Sequence, residues 1–391
     1  MQGGPLARGN GAVAMSEAEF EVLLLSGRVE VRGSCAYTLR LAAGLAEERI
    51  SARVITPDAH LVDARSRSQL KIQEVPRLDT PFWGELVQRT LSHELHAAPP
   101  RLIHIQSQRI LKQGEWLARR LKRPYVLTMH EHLTSRTNFN LDMDYCRRII
   151  AVSESVRDDL WDRLKVLPEL VTVIPSGVET QLPAELSPPL EPGHVPVIST
   201  AGPLEAIKGI PYFLGAARAV LHTRRDVEFL VAGAGPEEAN LRRVARELEI
   251  ADKVTFVPYV LGFSDSLAAT DIFCLPSLQQ GLGTIMLEAM ALGRPVIATG
   301  VGGVASVIRD GETGLIVPPQ NSGELARRII ELLDQPARAR AIGAQARELV
   351  VEQYSVKTMV HRTAQLYREI VPAAVAAGAL DKLRMPTATD N

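Results

Sequence analysis

The chain runs through the same alternation of short apolar segments and amphipathic stretches twice, and one proline-rich interruption separates the two rounds. The first round opens with FEVLLL at 20–25, a continuous apolar run of the kind a parallel strand buried on both faces needs. A glycine-bearing turn follows at 27–34, and 36–46 then repeats apolar residues at helical spacing. Further strands are expected at 52–56, 101–105, 125–129, 149–152 and 171–174, most of them separated by helical stretches. LPAELSPPLEPGHVP, at 182–196, has no period and reads as a linker. The alternation then restarts, with strands expected at 197–200, 227–231, 254–257, 272–275, 295–298 and 314–317 and helix dominating 322–372. Strand–helix alternation folds into a parallel, doubly wound sheet. Two rounds of it give an α/β protein of two domains with a cleft between them. Ligands of such sheets collect at the carboxyl ends of the strands.

The length agrees, because 391 residues exceed what one core usually holds. The expected division is a disordered lead-in over 1–18, with Met15 an alternative start, a first domain over 19–182 and a linker over 183–196. A second domain over 197–355, a helix over 356–375 crossing back to the first domain and a tail over 376–391 complete it. A net charge of −1 gives no general reason to expect nucleic acid as a partner. Three scattered cysteines without a CxxC pair fit a reducing cytosol. No apolar run approaches the roughly 18–20 residues a membrane span requires. The chain is therefore expected to be cytoplasmic. Charge is locally uneven: 101–150 holds ten Lys and Arg against four Asp and Glu, concentrated in WLARRLKR at 116–123. That stretch is a solvated helix face, or a patch that rests on anionic lipid at the inner face of the membrane or holds an anionic acceptor.

Several chemistries are disfavoured by spacing. A nicotinamide-binding fold places GxGxxG after its first strand, and residues 26–34 read SGRVEVRGS. The pair His130 and His132 flanks Glu131, but alternate side chains of an extended segment face opposite ways, so no metal site is expected. AGAGP at 232–236 is a glycine turn between strand and helix, a weak signal alone. The second domain is more specific. TAGPLEAIKG at 200–209 follows a strand and sets Lys208 just before a helix. CLPSLQQGLGTIMLEAMALGRP, at 274–295, puts Gly281 and Gly283 ahead of a helix carrying Glu288. VGGVAS at 301–306 reads as a third such loop. Helix starts present unpaired N–H groups and partial positive charge, which suit phosphate.

At this point a resemblance becomes specific. MLEAMALGRPVIA (286–298), the paired glycines 302–303 and DGETGLIVPP (310–319) resemble the signature of the retaining family 4 glycosyltransferases. AVSESVRD (151–158), VIPSGVE (173–179), VLTMH (126–130) and AGAGP (232–236) resemble further family segments in the same order, so the likeness covers roughly 20–370. It implies the GT-B architecture of two facing Rossmann-like domains. It implies transfer of a sugar from a UDP-, GDP- or ADP-linked donor to a hydroxyl of a glycan, lipid-linked or small-molecule acceptor. Retained configuration and no metal or other cofactor are part of that expectation. By the same resemblance Lys208 binds the donor diphosphate, and Gly281, Gly283 and Thr284 bring main-chain amides to its oxygens. Gly202 and Gly233 line the donor side, and Glu288 accepts from the ribose hydroxyls. His130 reaches the donor sugar from the first domain, and Gly33 and Ser34 lie near the acceptor.

The chain departs from the family's pattern at four places. Gln280 replaces the usual Glu eight residues before Glu288, Pro203 a usual Arg, Ser306 a frequent Glu, and Ser34 a frequent second glycine. Loss of a guanidinium from a diphosphate removes a charged hydrogen bond of about 1.5–3 kcal/mol unless another base such as Arg136 replaces it. Gln280 keeps a carbonyl acceptor and gains an NH2 donor. Two expectations follow: an active transferase whose Gln280 admits a uronic or N-acetylated donor, or a catalytically silent module that binds a sugar nucleotide or a protein partner. A sugar-nucleotide epimerase would need acid and base side chains converging on the sugar, and no such set is legible.

Overall fold

The computed structural model describes residues 18–30, 33–80, 83–133, 141–183, 185–258 and 264–383. All but the last residue of the expected lead-in over 1–18, the last residues of the expected tail and Arg136 lie outside them. The first domain carries β1 (Phe20–Leu25), β2 (Ile50–Thr56), β3 (Ile72–Glu74), β4 (Leu102–Ile105), β5 (Tyr125–Met129), β6 (Cys146–Ala151) and β7 (Val171–Val173). Among them run α1 (Gly33–Gly44), α2 (Ala64–Gln69), α3 (Trp83–Ala97), α4 (Leu111–Leu121) and α5 (Glu154–Leu164). All pairings are parallel, in the order β3-β2-β1-β4-β5-β6-β7. The sequence reading missed β3, whose three residues are only half-buried or exposed and carry no apolar run.

The second domain holds β8 (Val197–Ala201), β9 (Glu228–Ala232), β10 (Val254–Val257), β11 (Ile272–Leu275), β12 (Val296–Thr299) and β13 (Leu315–Val317). These strands are also all parallel, in the order β10-β9-β8-β11-β12-β13. Its helices are α6 (Ile210–Thr223), α7 (Glu238–Glu247), α8 (Ser264–Ala268), α9 (Thr284–Ala291), α10 (Ser322–Asp334) and α11 (Pro336–Gln353). The two Rossmann-like sheets face one another across a cleft. Val152 and Val156 from the first domain join Leu282, Val304 and Val307 from the second in one continuous apolar cluster.

The last helix, α12 (Val356–Leu383), follows the second domain in sequence and packs on the first. Met359, Val360, Ala364, Tyr367 and Ile370 cover Val22, Leu24, Tyr37 and Leu41. Beneath them His104 bonds the Tyr367 hydroxyl through Nδ1 and Thr128 Oγ1 through Nε2, the latter at 2.6 Å. The helix runs on to Leu383, past the expected start of the tail at 376. At its beginning Val178 N donates to Tyr354 O at 2.9 Å and Val356 N donates to Val178 O at 3.0 Å, which fixes the crossing point. The segment read as a linker is clasped rather than loose. Asp271 accepts from Leu190 N at 2.6 Å, from Val197 N at 2.8 Å and from His194 Nε2 at 2.8 Å.

Candidate active site

In a doubly wound sheet the crevice opens where strand order reverses, beyond the carboxyl ends of the two strands concerned. The first sheet reverses between β1 and β4, and the second between β8 and β11. Each reversal carries a cavity. Ser26 and Gly27 after β1, with Gln106 and Ser107 after β4, line one of about 440 Å³. Ala201 and Gly202 at the end of β8, with Leu275 and Gln280 at and after β11, line another of about 160 Å³. Ser34, His130, Glu131 and His132 line both, so the two crevices meet at one seam.

The smaller cavity collects most of the residues singled out from the sequence: Ser34, His130, Gly202, Lys208, Gln280, Gly281, Gly283, Thr284 and Glu288. Gly283 precedes α9 with φ 91°, a left-handed conformation that side chains other than glycine's adopt only at a cost. It lets the chain turn sharply, so that the first N–H groups of α9 open on the cavity. Gly281 serves a different need. A Cβ there would overlap the main-chain oxygen of His130 in the opposite domain. Its own carbonyl accepts from Ser153 Oγ at 2.7 Å, while the same Oγ caps α5 by accepting from Val156 N. The two domains therefore touch backbone to backbone beside the cavity.

Lys208 Nζ donates to Gln280 Oε1 at 3.0 Å, and Ser277 Oγ donates to the same oxygen at 3.2 Å. The amide carbonyl thus holds the lysine, and the NH2 is the part of Gln280 with donors to spend. His130 is half-buried, with its ring edge-on to Tyr37, centroids 4.9 Å apart. Burial lowers its pKa to about 4, against a smaller opposing effect from a hydrogen bond to the main chain of Gln106. It is a neutral imidazole at physiological pH, and its Nε2 has no hydrogen-bond partner. His132 takes a different neighbour: a Cβ on Gly302 would come within 3.1 Å of its Cε1. No group of three or more His, Cys, Asp or Glu side chains placed to hold a metal ion occurs among the described residues.

Two of the sequence-selected residues are not on the cavity walls. Gly33 is the first residue of α1. At Gly233 a Cβ would overlap Gly202 O and press on Leu204, so this glycine lets the Gly202 loop lie close on the end of β9. The paired glycines at 302–303 also differ from expectation. They open a short 3₁₀ helix, Gly302–Ser306, not an α-helix. Gly303 N donates to Gly281 O at 3.0 Å, and a Cβ at Gly302 would overlap Gln280 O. Their role is to buttress the Gln280–Gly281 turn from behind.

Sequence reasoning missed Arg40. From α1 in the first domain, its Nη2 reaches Glu288 Oε1 on α9 of the second at 2.6 Å, and its Nη1 donates to Gly177 O at 3.2 Å. Arg40 stands four residues after Ala36, which lines the cavity, so the two share a helix face, but the sequence alone does not show which face meets the second domain. Glu131 and Glu205 on the cavity wall were missed as well. The basic stretch at 116–123 lies largely on α4, which buries Leu117, Ala118 and Leu121 and exposes Arg119 and Arg120. Arg119 pairs with Asp142 at 2.6 Å. No helix among the described residues is long and apolar enough to cross a membrane.

Comparison with known proteins agrees with this fold. Residues 31–182 match the family model described as Glycosyltransferase Family 4, and 195–335 match one described as Glycosyl transferases group 1. The D-inositol 3-phosphate glycosyltransferase of Rhodococcus erythropolis is 28% identical over 382 residues, covering 85% of this chain and 86% of that protein. The alpha-D-kanosaminyltransferase of Streptomyces kanamyceticus is 32% identical over 177 residues, covering 45% and 46%. Apart from the Rhodococcus protein, the chain spans about half the length of the first curated relatives it matches. Among solved structures, Anabaena HepE in complex with UDP and glucose superposes with a TM-score of 0.76 at 18% identity, covering 90% of this chain and 100% of that one. Sucrose-phosphate synthase of Thermosynechococcus elongatus gives 0.72 at 22% identity, with 90% and 100% covered. These likenesses show the two-domain GT-B fold.

Proposed function

The chain belongs to the glycosyltransferases that these two family models describe, and from that premise we propose that it moves a sugar from a nucleoside diphosphate to an acceptor hydroxyl. The observation that carries this reading is the convergence of Lys208, Gly283, Thr284 and Glu288 with His130 on one cavity at the second sheet's reversal point. The diphosphate takes the Lys208 ammonium and the first amides of α9, a charge and a helix start together. The Glu288 carboxylate accepts from the ribose hydroxyls. His130, neutral and with Nε2 unspent, takes a hydroxyl of the donor sugar. A UDP-, GDP- or ADP-linked sugar is the donor class. Anabaena HepE, of the same fold, has been crystallised in complex with UDP and glucose and with UDP-glucose, which favours UDP as the first to try.

The larger cavity receives the acceptor. It opens on the first through Ser34 and His130. Two ion pairs stand at its wall, Arg28 with Asp79 at 2.7 Å and Arg109 with Glu30 at 3.4 Å. Such paired charges suit a polyhydroxylated acceptor, which can donate to the carboxylates and accept from the guanidinium groups. Small hydroxylated acceptors, D-inositol 3-phosphate and L-malate, appear in the names of two relatives. In the transfer the acceptor oxygen replaces the phosphate oxygen on the anomeric carbon, and the hydroxyl proton leaves with the nucleoside diphosphate. The reaction retains configuration and needs no metal, because Lys208 and the helix start stabilise the leaving charge. A lipid-linked acceptor would bring the exposed basic face of α4 to an anionic membrane surface.

The test is release of nucleoside diphosphate from a panel of UDP-, GDP- and ADP-sugars, with proton NMR of any product for its anomeric configuration. Release from at least one donor, lost in Lys208→Met, is the expected result. A folded chain that neither binds nor turns over any of them disproves the reading.

A further inference from the structure

Glu288 is held by the opposite domain. The contact is a single guanidinium from α1, on one carboxylate oxygen, at 2.6 Å. Both side chains are about four-fifths buried, with relative exposures of 18% and 20%, so the pair is only weakly screened by water. The same guanidinium donates through Nη1 to Gly177 O. Gly177 stands where the two domains are joined, and a Cβ there would overlap Ser355 O at the start of the crossing helix. Arg40 therefore ties three pieces of chain together: α1, the crossing point and α9. A planar guanidinium with two N–H groups committed fixes the direction of its partner more closely than a flexible ammonium would. A carboxylate offers about four acceptor positions, so Oε2 keeps its full capacity for a ligand while Arg40 holds Oε1.

We propose that Arg40 is a positioning residue for nucleotide recognition: it reaches across the cleft and orients the Glu288 carboxylate so that its second oxygen meets the ribose hydroxyls. The inference rests on the reading of Glu288 as the ribose acceptor given above. Its consequence is that ribose recognition depends on a residue of the other domain. A nucleotide bound to the second domain alone would find Glu288 unsupported, and only the assembled cleft would read the sugar of the nucleotide.

The discriminating measurement is the ratio of affinities for a nucleoside diphosphate and its 2′,3′-dideoxy counterpart, by calorimetry on the full chain. UDP, GDP and ADP are used with their dideoxy forms, taking forward whichever base binds best. The unmodified chain is expected to prefer the ribonucleotide by about tenfold, the worth of one charge-assisted hydrogen bond. In Arg40→Met the preference falls below about threefold, while affinity for the dideoxy compound stays within about twofold. Arg40→Lys, which keeps the charge and N–H donors but not the planar fork, restores part of the preference and provides the reading if Arg40→Met folds poorly. An undiminished preference in both variants overturns the proposal, as does tighter ribonucleotide binding, which would make Arg40 a competitor for Glu288. Glu288→Gln separates the two levels. If it abolishes the preference while the Arg40 variants keep it, Glu288 reads the ribose and Arg40 is idle. If it leaves the preference intact, the ribose role of Glu288 fails and the proposal fails with it.

Discussion

The ammonium of Lys208 donates to the side-chain oxygen of Gln280 at 3.0 Å, so the residue that steadies the lysine is neutral. An amide holds the ammonium without placing a further negative charge beside it. Three carboxylates, Glu131, Glu205 and Glu288, already line the same cavity. A fourth at 280 would pair with Lys208 and repel the phosphates. Gln280→Glu is therefore expected to weaken nucleoside diphosphate binding about tenfold, as one charge-assisted hydrogen bond is lost. Titration calorimetry with UDP, GDP and ADP measures it. Equal or tighter binding would mean that Lys208 does not face the phosphates.

Gly281 gives a prediction about closure. A Cβ there would run into the carbonyl oxygen of His130, and main chain cannot swing aside as a flexible side chain can. Gly281→Ala should push the two domains apart at the cavity seam, at a cost of about 1–3 kcal/mol for overpacking. Turnover falls at least tenfold while far-ultraviolet circular dichroism stays native. Small-angle scattering should record a larger radius of gyration than for the unsubstituted chain. An alanine variant of full activity and unchanged radius would show that the backbone contact is not needed for the working state.

The fold was legible because its signal is repeated: each buried parallel strand is an apolar run, and the two rounds agree with one another. FEVLLL at 20–25 could be placed because all four of its last residues are buried. Ile72–Glu74 could not, since a short edge strand has little to bury. In the site, residues carried by glycine turns could be read, because turn geometry leaves a local mark. Arg40 could not be, since its partner Glu288 lies 248 positions away and only the packing of two domains brings them together. The same holds for the glycines at 302–303, which looked like a phosphate loop. Their purpose appears only once Gln280 and Gly281 are seen resting on them.

His104 contributes, with His130, to the behaviour in acid. It is fully buried between Tyr367 and Thr128, and burial, with the neighbouring His130, lowers its pKa from 6.5 to about 3. Unfolded, it takes up a proton near 6.5; folded, it resists one. The unfolded state therefore binds more protons throughout that window, and stability falls as pH drops from about 6.5 towards 3. Melting temperature should decline more steeply below pH 6.5 in the unsubstituted chain than in His104→Gln, although the variant starts lower for want of its hydrogen bonds. Parallel curves would show that His104 has no share in the acid response.

His194 works in the opposite direction. The hydrogen bond and charge of Asp271 raise its pKa above 6.5. Its contribution is fully present below 6.5 and is lost as pH rises through the raised folded value. The side chain is 41% exposed, so the effect is about 0.5 kcal/mol or less after screening. The melting temperature of His194→Gln should lie up to about 0.6 °C below that of the unsubstituted chain in mild acid and converge with it in mild alkali. Asp271→Asn should cost more and at every pH, because Asp271 also accepts from Leu190 N and Val197 N. A His194→Gln deficit that does not change with pH would remove the ion pair from the account.

The last prediction concerns which sugar the cavity accepts. Lys208 and Ser277 both donate to the oxygen of Gln280, which leaves the NH2 as its donor. A carboxylate in that place could only accept, and it would repel a uronic acid. An amide donor can meet a uronic carboxylate or the carbonyl of an acetamido group, and neither interaction places like charges together. The expected order in a panel of nucleotide sugars is therefore N-acetylated or uronic donors ahead of the plain hexose on the same base. Gln280→Glu should narrow that lead or reverse it. Because the substitution also weakens diphosphate binding, the quantity to compare is the ratio of kcat/KM between two donors sharing one base, in which the common loss cancels. If the unsubstituted chain turns over only plain hexose donors, and Gln280→Glu improves them, the amide is not selecting the sugar and its role reduces to holding Lys208.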